Sequence, residues 1–157
     1  MILRDFAVRD VGRLPEGLRP GRSMGFSCRK LQPLVLLLGG NSGVGKTTLA
    51  RELSKHHLRV LNFDFLWGDL YYAAKNKQFP YLEKLSQHFN PQSIGSSLES
   101  MVKAGMADYL VNLSLPYFIS SERLTIAEGY QFGIAEISQL TAQELSKKGF
   151  RVHNFTL

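Results

Sequence analysis

The sequence predicts an α/β domain built on a parallel sheet with flanking helices, and three observations support this fold class. A continuous apolar run at 34–38, preceded by Pro33 and stopped by Gly39 and Gly40, is typical of a strand covered on both faces. Segments with helical spacing of apolar residues alternate with short apolar runs along the rest of the chain. The first run leads directly into a glycine-rich loop and then into good helix formers, which is the beginning of a crossover unit.

The strand and helix predictions alternate from the first apolar run to the last residue. Strands are predicted at 34–38, 59–65 and 124–127, and the last strand candidate is 151–157. Helical spacing of apolar residues predicts helices at 46–57, 67–76, 96–113 and 132–148. Gly149 is well placed as the C-cap of the last helix. Parallel strands joined by helices deliver their carboxyl ends to one edge of the sheet, where α/β folds bind ligands.

Composition and charge favour one globular domain with a basic extension at its N-terminus. The chain has 157 residues, of which 44% are apolar and 20% charged, as in proteins that bury a core. The formal net charge is +6, and residues 1–32 carry +4 of it. The arginines of this segment are interspersed with glycine and proline and lack the run of aromatic side chains that stacks bases. We therefore interpret 1–32 as a loosely ordered basic extension and 33–157 as the domain, and binding of nucleic acid is not favoured.

The cysteine count and the hydropathy pattern predict a cytoplasmic protein without membrane contact. Cys28 is the one cysteine, so it forms no internal disulfide, and it has no Cys or His partner at metal-ligand spacing. The longest apolar run, at 34–38, is too short to cross a bilayer. The N-terminus lacks the apolar core of a secretory signal, and its acidic residues argue against an organellar transit peptide.

A complete phosphate-binding motif follows the first predicted strand, because residues 40–47 match G-x-x-x-x-G-K-[ST] in full. Its glycines let the backbone curl around phosphate oxygens, and the helix that starts near Lys46 aims its free N–H groups at the anion. Lys46 would supply a charge to the β- and γ-phosphates, and Thr47 would place a hydroxyl on Mg²⁺. The residues predicted to bind the nucleotide are Gly40, Asn41, Ser42, Gly43, Val44, Gly45, Lys46, Thr47 and Thr48.

The motif and three shorter stretches resemble the P-loop kinases, and within them the uridine kinases and related nucleoside or small-metabolite kinases. These stretches are 39–50 around the motif, Asp64-Phe65 after the second apolar run, Pro116-Tyr117 with Arg123, and 126–130 with Glu128-Gly129-Tyr130. The resemblance implies a P-loop NTPase-type parallel sheet and transfer of a phosphoryl group from ATP to a small acceptor. Such kinases continue into an Arg-bearing lid and a fifth strand, for which no matching segment is found, so a truncated, about four-stranded version is expected.

Two carboxylates are the candidate catalytic groups besides Lys46. The resemblance places Asp64 at the end of the second strand, facing the acceptor, where it could take the proton of a hydroxyl or, alternatively, cap the helix that follows. Glu128 comes after the apolar third strand, either as an acid that orders Mg²⁺ next to Thr47 or as an ordinary turn carboxylate. Arg123 could contact phosphate, although a solvated arginine is the commoner role.

These residues favour phosphoryl transfer, with Mg²⁺, from ATP or GTP to the hydroxyl of a nucleoside or other small metabolite. The alternatives are an NTPase without a small acceptor and a nucleotide-binding but catalytically silent module. Four aromatic residues could frame a substrate pocket, although a packed core is their more frequent role: Tyr71, Tyr72, Phe79 and Tyr81. The last strand would be an unpaired edge, which favours self-association with another copy of the chain.

Overall fold

The computed structural model of the chain describes residues 32–56, 59–76, 79–118 and 124–157. The predicted basic extension, apart from Gln32, and the candidate Arg123 lie outside the described residues. The four strands occur in the predicted order with helices between them, and the helix Glu83–His88 is one that the sequence did not predict.

Four strands and six α-helices make up the described body. The strands are β1 (Leu34–Gly39), β2 (Arg59–Asn62), β3 (Leu124–Glu128) and β4 (Arg151–Thr156). The helices are α1 (Lys46–Ser54), α2 (Phe63–Lys75), α3 (Glu83–His88), α4 (Ile94–Lys103), α5 (Ala107–Ser114) and α6 (Ala135–Lys147). Short 3-10 helices lie at Pro80–Leu82, Leu115–Phe118 and Tyr130–Gly133.

The strands form one parallel sheet in the order β2-β3-β1-β4, which confirms the predicted fold class. From β1 the chain crosses past β3 to form β2 at one edge of the sheet. From β3 it crosses past β1 in the opposite direction to form β4 at the other edge. Because crossovers between parallel strands are right-handed, these two connections lie on opposite faces of the sheet. The carboxyl ends of β1 and β3 are adjacent at this switch in direction, which is where open α/β sheets bind ligands.

The hydrophobic core lies mainly on the face of the sheet that carries α2 to α6. Phe63 is its centre, with its ring 5.3 Å from that of Phe118 and 5.2 Å from that of Phe132. Val35, Leu37 and Ala127 supply the sheet side of this cluster. The opposite face is covered by α1, which packs against β2 and β3. None of the helices in the described residues combines the length and the apolarity that a bilayer crossing requires.

A backbone-to-backbone contact fixes the start of the glycine-rich loop against the turn that follows β3. A methyl group added to Gly39 would lie 2.2 Å from the backbone nitrogen of Gly133 and 2.2 Å from the carbonyl carbon of Phe132. Only a residue without Cβ fits between these two backbone segments. The end of β1 is therefore held in a defined position beside the Tyr130–Gly133 turn.

The structure corrects three of the predicted boundaries. β2 ends at Asn62, and α2 begins at Phe63, so the predicted strand at 59–65 is too long and the helix predicted from 67 begins earlier. The helix predicted at 96–113 is two helices, because Gly105 has a positive φ of 77° and the Met106 N–H donates to the Met101 carbonyl, which closes α4. The helix predicted from 132 begins only at Ala135, after the 3-10 turn.

The outer side of β4 is unpaired within the described residues, and we predict self-association through it. The N–H groups of Arg151 and Leu157 donate toward β1, to the Pro33 and Gly39 carbonyls at 2.9 and 3.1 Å. Since backbone groups alternate along a strand, those of Asn154 point outward and are free to pair with a second chain. Asn154→Pro removes an outward donor and is therefore expected to reduce association measured by sedimentation velocity.

A comparison variant makes this test specific. His153→Pro removes an N–H that points at β1 and is expected to lower the melting temperature instead, because proline cannot donate within the sheet. A variant Asn154→Pro that associates as strongly as the wild type would contradict pairing through this edge.

Candidate functional site

The phosphate-binding motif forms an open loop between β1 and α1, at the carboxyl edge of the sheet. Gly43 and Gly45 have positive φ angles of 83° and 96°, in the region that favours glycine. The loop residues from Asn41 to Gly45 are exposed to solvent. Gly45 is the N-cap of α1, and no side chain of the described residues caps that helix. The first N–H groups of α1 are therefore available to an anion in the loop.

The side chain of Lys46 extends from the first turn of α1 back to the start of the phosphate-binding loop. Its side chain is buried, with 6% exposure, and its Nζ donates to the Gly40 carbonyl at 2.8 Å and to the Asn41 carbonyl at 2.7 Å. An ammonium group has three donors, so one remains for a phosphate oxygen. The charge is therefore held at the loop by the backbone before any ligand is bound.

Glu128 is a buried carboxylate at the end of β3, with 3% exposure. Its Oε1 accepts a hydrogen bond from Nδ2 of Asn62 at 2.8 Å, across the β2–β3 pair. Its Oε2 is buried and has no hydrogen-bond partner among the described residues. A buried acceptor without a partner is costly, and a bound cation or its water would relieve that cost.

The side chain of Glu128 lies on the face of the sheet that carries α1. Side chains alternate along a strand, and the neighbouring Ala127 belongs to the core on the opposite face. Thr47 is exposed in the first turn of α1, which packs against β3. The two residues predicted to hold Mg²⁺ therefore belong to the same face of the sheet.

Asp64 lies in the first turn of α2 and not at the end of a strand, which corrects its predicted position. It does not cap the helix either, because Asn62 is the N-cap and its side chain accepts from the Phe65 N–H at 3.0 Å. The Oδ1 of Asp64 accepts instead from the Tyr130 N–H at 2.9 Å, directly after Gly129. Asp64 is thereby held at the same edge of the sheet as Glu128.

Gly129 allows this approach of the two carboxylate-bearing segments. A methyl group added to it would lie 3.0 Å from Cβ of Phe63 and 3.5 Å from Oδ1 of Asp64. The turn after β3 therefore packs closely on the first turn of α2. The structure thus brings the phosphate loop, Asp64 and Glu128 to one edge.

No protein-family model matches the chain. The chain is 30% identical over 121 residues to Toxin PezT of Streptococcus pneumoniae serotype 4 (strain ATCC BAA-334 / TIGR4). The aligned region covers 77% of this chain and 43% of that protein. A solved chain from the PezAT chromosomal toxin-antitoxin system of the human pathogen Streptococcus pneumoniae is 23% identical, with a TM-score of 0.37. That match covers 95% of this chain and 52% of the solved one, so this chain spans about half the length of the proteins it matches.

The complete motif lies on a strand–loop–helix unit of a parallel sheet, which is the structural context that a phosphate-binding loop requires. The described residues therefore have an α/β fold with a four-stranded parallel sheet and the P-loop sequence motif between its first strand and first helix. Among the residues that the structure describes, no group of three or more His, Cys, Asp or Glu could hold a metal ion. Mg²⁺ that reached this P-loop would therefore depend on phosphate oxygens and water besides the side chains of Thr47 and Glu128, which is the usual situation for nucleotide-bound Mg²⁺.

Sequence reasoning missed a polar contact beside the P-loop. The Tyr130 hydroxyl donates to Oε1 of Glu99 at 2.6 Å, and the Tyr130 ring packs on Gly95, where a methyl group would come within 2.8 Å of the ring. The hydrogen bond to Glu99 raises the pKa of Tyr130, with a smaller effect of burial, so the phenol stays a donor. Glu99 and Tyr130 line a cleft of about 200 Å³ that reaches Gly40 and Asn41. No sequence spacing signalled this pair, because the two residues are 31 positions apart.

The aromatic residues near α2 are more exposed than a core role predicts. Tyr72 and Tyr81 are each 60% exposed, and Phe79 is 44% exposed, so the packed-core interpretation is wrong for these three. Tyr71 is half-buried and packs toward Phe89. Phe65, next to Asp64, is also exposed. Phe65 and Tyr72 therefore expose two aromatic rings on the side of α2 that also carries the exposed Asp69.

Glu128→Gln is expected to weaken the Mg²⁺ dependence of triphosphate binding. Glutamine still accepts from Asn62 but no longer carries the charge that offsets a cation. The measurement is calorimetric titration with ATP across a range of Mg²⁺ concentrations. Glu136→Gln is the matched control, because Glu136 is exposed on α6. Superimposable Mg²⁺ curves for Glu128→Gln and the wild type would exclude a role for Glu128 in metal binding.

Proposed function

We propose that the chain is a kinase that binds Mg-ATP, or Mg-GTP, and transfers the γ-phosphoryl group to a hydroxyl of a small acceptor. One observation carries this proposal: the P-loop and two carboxylates, Asp64 and Glu128, meet at one edge of the sheet. The phosphate cradle alone would serve any nucleotide-binding module. A second carboxylate, outside the metal position, is what a reaction with an acceptor requires.

The P-loop would bind and orient the donor. The N–H groups at the start of α1 and the ammonium of Lys46 would face the phosphate oxygens, since both lie at the loop. Thr47 and Glu128 would hold Mg²⁺, which when bound offsets the charge that develops on the transferred group. The unpartnered Oε2 of Glu128 supports this fit.

Asp64 would orient the acceptor and receive its proton. Its Oδ1 already accepts from the Tyr130 N–H, so the carboxylate is fixed in position before the acceptor arrives. The rings of Phe65 and Tyr72, seven residues apart on one side of α2, offer flat apolar surfaces for a ring-bearing acceptor. A nucleoside or a similar metabolite fits these surfaces better than a simple polyol.

The relative named as a toxin adds an expectation about the biological effect. If this chain is also a toxin, its expression should slow the growth of the host, and the effect should depend on Lys46. Induced expression of the wild type and of Lys46→Ala in a bacterial host, with protein levels matched by immunoblot, tests this expectation. Equal growth of both strains would contradict the expectation of a toxic effect that depends on Lys46.

The decisive experiment is a phosphate-transfer assay with [γ-³²P]ATP, run with and without a panel of nucleosides and hydroxyl-bearing metabolites. A kinase gives labelled acceptor and acceptor-dependent turnover. Release of inorganic phosphate independent of any acceptor would identify an NTPase instead. Binding of Mg-ATP without either product would identify a silent nucleotide-binding module. Failure to bind ATP and GTP at millimolar concentration would overturn the proposed function.

A further inference from the structure

Asn62, which no motif singles out, is the residue that connects the two carboxylates of the site. It is the last residue of β2 and lies opposite Glu128 in the parallel β2–β3 pair. Its side-chain amide makes two hydrogen bonds, one at each end. Nδ2 donates to Oε1 of Glu128 at 2.8 Å, and Oδ1 accepts from the Phe65 N–H at 3.0 Å.

The orientation of this amide follows from its partners. The Phe65 N–H can only donate, so the atom that faces it is the amide oxygen. The Oε1 atom of Glu128 accepts the other hydrogen bond, so the amide atom that faces it is the nitrogen. If the amide were rotated by half a turn so that its oxygen and nitrogen changed places, both hydrogen bonds would be lost. The two partners therefore hold the Asn62 amide in one orientation.

The hydrogen bond from Asn62 uses one oxygen of Glu128 and leaves the other without a partner. Glu128 is 3% exposed, and its Oε2 is buried and unpaired among the described residues. A carboxylate fixed at one oxygen cannot turn to relieve the other. Such a group is prepared for a cation, since outer-shell hydrogen bonds orient the ligands of metal ions.

The same amide also sets the position of Asp64. By capping α2, Asn62 fixes the first turn of the helix that carries Asp64 two residues later. Asp64 in turn accepts from the Tyr130 N–H, two residues after Glu128. Asn62, Glu128, Tyr130 and Asp64 thus form a closed ring of hydrogen bonds and short chain segments that fixes the two carboxylates relative to each other.

We propose that Asn62 is a positioning residue that holds Glu128 with its free oxygen toward the Mg²⁺ of the bound nucleotide and ties it to the Asp64 segment. This inference rests on the proposed function, because it assumes that the P-loop takes a Mg-nucleotide. A structural N-cap alone would stabilise α2 but would have no effect on how Mg²⁺ changes nucleotide affinity.

Asn62→Ser separates the two roles of the amide. Serine is as good an N-cap as asparagine, but its hydroxyl is one bond shorter and loses the contact with Glu128. We expect its melting temperature and its ATP affinity in EDTA to stay close to those of the wild type. The factor by which Mg²⁺ tightens ATP binding should fall about 10-fold or more, as is typical when an outer-shell partner of a metal ligand is removed.

Two further variants complete the test. Asn62→Ala removes both hydrogen bonds and should show the same loss of the Mg²⁺ effect together with a lower melting temperature. Asn90→Ser is the control for the substitution itself, because the Asn90 side chain accepts from the Gln92 N–H in an exposed turn. It should leave the Mg²⁺ effect unchanged.

The outcomes separate this inference from the proposed function. Calorimetric titrations of each variant with ATP are made in Mg²⁺ and in EDTA, alongside thermal melts. Wild-type Mg²⁺ enhancement in Asn62→Ser, or a loss of affinity of equal size in Mg²⁺ and in EDTA, overturns the inference and leaves the proposed function standing. A wild-type chain that binds no triphosphate in either condition overturns both.

Discussion

Lys46→Ala is expected to abolish triphosphate binding that is measurable by calorimetry and to reduce any turnover about 10²-fold or more. The ammonium is buried at the loop and held by the carbonyls of Gly40 and Asn41, so no flexible surface lysine can take its place. Removal of this charge takes away the one cation that the P-loop motif itself supplies to the phosphates. It also leaves the Gly40 carbonyl without its donor.

A control separates lost recognition from a collapsed loop. Lys55→Ala removes an exposed lysine just beyond α1 that pairs with Glu52 at the surface, and it should bind Mg-ATP like the wild type. Thermal melts of both variants show how much stability each has lost. A folded Lys46→Ala chain with wild-type affinity would contradict the assignment of the P-loop as the phosphate site.

Asp64→Asn is expected to leave nucleotide affinity within a few-fold of the wild type while reducing phosphoryl transfer by about 10² to 10⁴-fold. Asparagine can still accept from the Tyr130 N–H, so the packing of α2 against the turn after β3 should persist. It cannot take a proton from an acceptor hydroxyl. The measurement is transfer of radiolabelled phosphate to the best acceptor, together with calorimetry for ATP.

Asp108→Asn serves as the matched control, because Asp108 is likewise an aspartate in the first turn of a helix, α5, and it is exposed. It should transfer phosphate at the wild-type rate. If Asp64→Asn transferred phosphate as fast as this control, Asp64 would have no part in catalysis. If it lost stability and nucleotide affinity together, its contact with Tyr130 would be structural and its proposed role as a base would be wrong.

The sequence identified the P-loop because the physical demands of phosphate binding are local. Glycines with unusual φ angles, a lysine and a helix start all fall within residues 40–47, and each is visible as a residue type at a fixed spacing. The four strands were also predicted in their chain order, and β1 is the clearest of them because a strand covered on both faces is an uninterrupted apolar run. The C-cap of α6 is Lys148, one residue before the predicted Gly149, and Gly149 follows it with a positive φ of 89°.

The ends of helices and strands were predicted less well where a capping residue and the hydrophobic periodicity indicated different boundaries. The stretch from 59 to 65 is apolar enough for a longer strand, but Asn62 is a strong N-cap and starts α2 early. The stretch from 96 to 113 keeps helical spacing, but Gly105 ends α4 through left-handed geometry. In both places a single capping residue outweighed the periodicity of the side chains around it.

What the sequence by itself determined is therefore the P-loop, the α/β class and the identity of the candidate carboxylates. Only the tertiary structure decided how those carboxylates are held. Asn62 reaches Glu128, and Asp64 reaches the Tyr130 N–H, across 66 residues in each case. These contacts exist because β3 inserts between β1 and β2 in the sheet, and strand order is set by the packing of the whole domain, which no local window of sequence contains.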